Sequence, residues 1–134
     1  MATKVPGLVV SFVAGADLRN YQYAPVALDS NGRVVLPSAN ARCIGILQNK
    51  PNTGQAASVM LYGISKVVAN GPISVGNPVV AAANGQVAAA GAFHNHGAAS
   101  SNPPTAQQRI LGFALTAATA AGQVIEVLLA PFEF

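Results

Sequence analysis

Cysteine occurs once, at Cys43, so neither a disulfide framework nor a cysteine-based metal site can form within one chain. Tryptophan is absent and tyrosine occurs three times, which leaves few aromatic platforms for sugars or bases. Charge is equally scarce: 8% of residues are Asp, Glu, Lys or Arg. The seven basic residues (Lys4, Arg19, Arg33, Arg42, Lys50, Lys66 and Arg109) give a net charge of +3 but are scattered. No stripe of them could track a phosphate backbone, so a nucleic-acid partner is not expected. From Val67 to Gln108 there is no Asp, Glu, Lys or Arg. Pro72, Pro78, Pro103 and Pro104 interrupt that run, which excludes it as a membrane span. The stretch Val5 to Val10 is too short and proline-broken for a signal peptide, and a soluble intracellular product is the expectation.

What the chain does have is hydrophobic residues, 51% of the total and much of it alanine. With 134 residues this is enough for one domain with a real core of small side chains, and it is not the composition of a disordered chain.

The main signal is an internal repeat. Ala24-Pro25-Val26-Ala27 is followed by Asn31-Gly32-Arg33-Val34, and Asn77-Pro78-Val79-Val80 by Asn84-Gly85-Gln86-Val87 at the same spacing. The copies resume as Arg42-Cys43-Ile44-Gly45-Ile46 and Arg109-Ile110-Leu111-Gly112-Phe113. They close on Gly54-Gln55-Ala56 and Gly122-Gln123-Val124. The step from Asn31 to Asn84 is 53 and from Gly45 to Gly112 is 67, a net insertion of 14 residues. It must lie between Gly91 and Gln107.

Short apolar runs between turn signals predict an all-β fold. Asn31-Gly32 and Asn84-Gly85 predict hairpins with positive φ at both turn residues. The alanine-rich stretches Ala81 to Ala83 and Thr116 to Ala121 tempt a helical reading. The repeat sets them opposite a hairpin turn and the Pro51-Asn52 loop, so they are expected to be non-helical. Gly45 and Gly112, each inside a strand, predict a bulge or a close backbone approach. Val59 to Tyr62 and Val124 to Leu129, apolar at successive positions, predict central or covered strands. The expected architecture is a compact β-sandwich or barrel of two related hairpin-containing units. Residues 1–13 form an extended N-terminal arm, and 14–134 a single domain with an insertion around 91–107. The segment from Leu8 to Val13 reads equally as the domain's first strand.

No catalytic set is present. His94 and His96 could begin a zinc site, but the four acids (Asp17, Asp29, Glu126 and Glu133) are distant in sequence. They read as surface-loop histidines; an enzyme resting on them would lose activity when both become alanine. Asp17 and Asp29 read as turn and hairpin residues rather than an acid–base pair. There is no Gly-x-Ser-x-Gly frame and no phosphate loop. No cofactor, no metal and no enzyme activity are expected.

The succession Phe12-Val13-Ala14-Gly15-Ala16-Asp17-Leu18, Asp29-Ser30-Asn31-Gly32 and Cys43-Ile44-Gly45-Ile46-Leu47-Gln48-Asn49 is similar to tailed-phage capsid cement (head decoration) proteins. So are Gly63 to Ala69, Gly76-Asn77-Pro78-Val79 and the block from Gly112 to Leu129. The resemblance spans the chain outside the arm and the histidine-bearing insertion. It implies a β-rich structural protein on the outer capsid surface of the virion, made in the host cytoplasm. Its partners would be the phage major capsid protein and itself, as a homotrimer, with a dimer as the other possibility. Candidate contacts with capsid or neighbouring subunit are Leu8, Val9, Val10 and Phe12 on the arm, with Phe132 and Phe134 at the C-terminus. The alternative is a phage module that binds carbohydrate or the host surface.

Overall fold

The computed structural model describes residues 5–38, 41–90 and 109–133. These form nine strands and no α-helix: β1 (Val5–Val13), β2 (Pro25–Leu28), β3 (Val34–Val35), β4 (Gly45–Leu47), β5 (Ala56–Val68), β6 (Pro78–Ala81), β7 (Val87–Ala89), β8 (Arg109–Ala114) and β9 (Val124–Glu133). The strands pair antiparallel in the order β3-β2-β4-β5-β9-β8-β6-β7, with β1 also on β5. The sheet curls into a half-barrel. Thr116 to Ala121 is a loop, and Ala83 to Gly85 a single 3₁₀ turn, so the repeat was the better guide than alanine's helical preference.

The repeat is visible in the hydrogen bonds. Leu47 N–H donates to Ala24 O and Tyr23 N–H to Leu47 O; their counterparts are Ala114 N–H to Asn77 O and Gly76 N–H to Ala114 O. Leu18 N–H to Pro51 O matches Ile73 N–H to Ala118 O. Side chains follow suit: Asn49 Oδ1 accepts from Ser58 N–H, and Thr116 Oγ1 from Glu126 N–H.

Register carries the repeat further toward the N-terminus than the residue pattern does. Val13 pairs with Ala56 and Val10 with Val59, as Val68 pairs with Val124 and Ser65 with Val127. So β1 is to the first unit what the second half of β5 is to the second. One long strand therefore closes the first unit and opens the next. Val5 and Leu128 both pair with Ile64, so β1 and β9 must flank β5 on opposite sides. Of the two readings of the N-terminal segment, arm and first strand, the structure shows the strand: Val5–Val13 is hydrogen-bonded along β5.

Both turns are tight, but they differ. Asp29 N–H donates to Arg33 O and Ala82 N–H to Gln86 O, so each loop holds three residues. Asn84 (φ 63°) and Gly85 (φ 74°) both have positive φ, as expected. In the first turn only Gly32 does (φ 75°). There the Asp29 carboxylate accepts from the N–H groups of Asn31 and Arg33 at 2.8 and 3.0 Å, holding Asn31 out of the left-handed region.

Gly45 and Gly112 are places of close backbone approach. A Cβ on Gly45 would overlap the Met60 carbonyl oxygen, and one on Gly112 that of Leu128. Side-chain room is lacking too, because Val59 and Val127 stand about equally near, at 3.1 and 3.0 Å.

Two buried clusters result. The first holds Ala14, Leu18, Val26, Val34, Leu47 and Val59, on one face of the first unit. The second holds the equivalent residues of the second unit, among them Ala69, Ile73, Val79 and Val127, and also takes in Ile46 and Met60 from the first. Both faces of β4 and the start of β5 are thus covered. β9 is central, between β5 and β8, which is one of the two states expected for it, but it is covered on one face only: Ile125, Val127 and Leu129 are buried, while Val124 and Leu128 are exposed. Its outward apolar face has no counterpart of the second unit to lie against.

Candidate functional site

The two acids weighed as a carboxylate pair have ordinary structural roles. Asp17 forms a two-point ion pair with Arg19, at 2.9 Å to Nε and 2.8 Å to Nη2, which holds its carboxyl down at about 2. Asp29 serves the first turn. Among the described residues no group of three or more His, Cys, Asp or Glu could hold a metal ion. His94, His96 and the insertion lie outside the described residues, as does Phe134. No helix is long and apolar enough to cross a membrane among the described residues.

What the surface offers is apolar area on an edge. Among the described residues β1 pairs with β5 alone, leaving its other edge without a strand. Leu8 is 52% exposed and Val9 44%, beside Tyr62 at 62%. A strand edge with apolar side chains is a template for another chain. The pairing shifts register around Leu8, a bulge that changes which way neighbouring side chains face. Gly7 permits it: a Cβ there would lie 2.9 Å from the Tyr62 carbonyl oxygen.

The four candidates on β1 separate into two groups. Leu8 and Val9 are exposed, whereas Val10 and Phe12 are half-buried, with Phe12 packed against the first cluster. Phe132 lies in β9 with its backbone opposite Ile110, far along the sequence from β1. Residue reasoning missed Tyr62 and Val13, both exposed beside these candidates. The register Leu8↔Tyr62 and Val13↔Ala56 is a tertiary fact, and the repeat's Gly54-Gln55-Ala56 closing motif gave no hint of it.

A family model described as phage cement protein matches residues 11–129. The chain belongs to the phage cement protein family. Membership makes it a structural protein associated with the phage capsid. The match begins within β1 and ends within β9, so it takes in most of both units. Among solved structures, the N base of the head fiber gp8.5 in bacteriophage phi29 is similar, with a TM-score of 0.62. The two are 18% identical, and the alignment covers 92% of this cement-family chain and 95% of that one. That likeness is one of fold. The comparison with curated proteins finds no match.

Proposed function

We propose that this protein binds the outside of its phage's icosahedral shell and stabilises contacts between major capsid subunits. The observation that carries the reading is the family match across both units, on a molecule whose β1 edge is apolar and open. Leu8, Val9 and Tyr62 form the capsid-facing part of that edge. A protein that binds only the assembled shell stabilises it by mass action, and several linked copies bind more tightly than one. The outer capsid surface is then its place in the virion.

The test is co-sedimentation of the purified protein with undecorated, expanded heads of the same phage, counting copies per capsid subunit. Saturable binding at a symmetric stoichiometry is expected. Removing residues 2–13 would strip β1 from β5 and confuse folding with binding, so charge is placed on the open edge instead. Leu8→Lys and Val9→Lys together should leave unfolding unchanged and weaken shell binding at least roughly tenfold, the scale of withdrawing one apolar side chain from an interface. Full occupancy by the double variant would remove this edge from the mechanism.

A further inference from the structure

Inside the chain the second unit lies against the back of the first, and that junction has an open counterpart at each end of the molecule. At the internal junction Gln48 Nε2 donates to Ser65 Oγ at 3.0 Å, and Lys66 Nζ stands 5.6 Å over the Tyr23 ring. Ile46 and Met60 of the first unit are buried there within the second unit's cluster. On the receiving side Ser65, Val67, Leu111 and Leu129 are fully or nearly fully buried.

Repeat equivalence moves each of these residues to a position that is less covered. The receiving residues Ser65, Val67, Leu111 and Leu129 correspond to Val10, Phe12, Ile44 and Leu61 of the first unit, all half-buried. The covering residues Gln48 and Met60 correspond to Leu115 and Leu128, which are 39% and 37% exposed. The hydrogen-bonded pair Gln48 and Ser65 becomes Leu115 and Val10: a polar pair is replaced by an apolar one on both sides together. Gly85, closed in by Tyr21 and Ala24, corresponds to Gly32, which has open space around it.

We infer that two copies of this chain associate head to tail, the back of one copy's second unit (Leu115, Leu128) docking on the open mouth of the next copy's first unit (Val10, Phe12, Ile44, Leu61). The interface repeats between chains the one that joins the units within a chain. It uses a different patch on each partner, so it is heterologous: it generates a ring if its rotation closes and a filament if not. It stands without the capsid reading, since it concerns only copies of this chain and uses the side of β1 away from Leu8 and Val9.

Sedimentation velocity on the full chain tests it. The wild type should associate in a concentration-dependent way. Leu128→Asp, which spoils the back, and Phe12→Asp, which spoils the mouth, should each weaken association at least roughly tenfold. Mixed in equal amounts, the two variants retain one good back and one good mouth, and should form a 1:1 dimer that grows no further. Leu115→Asp, at an exposed position, provides a second spoiled back should Leu128→Asp unfold, and thermal unfolding identifies the folded variants. A monomeric wild type, association unaffected by spoiling the back, or a mixture that rebuilds the full-size oligomer would overturn the inference. A monomer whose folded Leu128→Asp variant no longer binds shells would also overturn it, assigning the face to the capsid.

Discussion

Gly45 and Gly112 show how little freedom single positions have here. Each is placed where a cross-strand carbonyl oxygen occupies the space of a Cβ, so alanine must push two strands apart. Gly45→Ala or Gly112→Ala should cost about 3 kcal/mol or more, well into the severe tail of single substitutions. Chemical denaturation would measure it. Gly54→Ala provides the contrast: it has open space but a φ of 84°, so it carries conformational strain of about 1 kcal/mol and no clash. Tyr23 shows the same economy of backbone. Its φ is 68°, where the second unit has Gly76 at 85°, and the ring that occupies the strained position packs at the junction between units. Cys43 lies beside that junction, and burial pushes its thiol up to about 12. In the unfolded chain the thiol ionises near its ordinary value of about 8.5. The folded state thus holds the proton more tightly, and the stability this gives is complete below the ordinary thiol range. It is lost as pH rises through that range toward about 12. Native protein at mildly alkaline pH should react with a thiol reagent far more slowly than denatured protein, and stability should fall more steeply across the alkaline window in wild type than in Cys43→Ser.

At the scale of elements, what could be read in advance divides by distance along the chain. Hairpins β2–β3 and β6–β7 were legible because their signal is local: turn residues between short apolar runs, written twice. The loop at Thr116 to Ala121 was legible only through its counterpart, because alanine alone suggests a helix. Strand β1 was not separable from an arm, since the residue that fixes its register, Val13 against Ala56, lies far away in sequence. The central place of β9 was legible, between β5 and β8, but not that one of its faces is open. Its apolar residues alternate between a buried and an exposed face, and residue type cannot distinguish a face covered within the molecule from one left open. The candidate surface shows the same division: the sequence offered Leu8, Val9, Val10 and Phe12 as one group, and their separation into two sides needed the pairing with β5. The insertion permits an element-scale prediction. The first unit joins β3 to β4 without those 14 extra residues, so a chain cut within 91–107 to the first unit's length has a working precedent in its own structure. Such a variant should stay soluble, with an unfolding midpoint within a few degrees of wild type, the shift expected of about 1 kcal/mol or less. Loss of soluble protein would make the insertion part of the fold.

The whole molecule is best understood as one repeat taken two steps along a shared strand. A conventional tandem protein joins units by a linker and lets each keep its own edges. Here β5 serves as the last strand of one unit and the first of the next, and Met60 and Ile46 extend the second unit's core into the first. Burying two such side chains contributes about 3–6 kcal/mol, so the junction is a substantial part of a domain whose net stability is typically of order 10 kcal/mol. This sharing also governs how the molecule bears force. β1 and β9 flank β5 on opposite sides and both run antiparallel to it, so tension applied at the two chain ends pulls them in opposite directions along its length. Such a load slides strands past one another and strains whole ladders of hydrogen bonds together, instead of peeling them open one bond at a time. With no linker between the units to stretch first, the molecule is a stiff tie rather than a hinge.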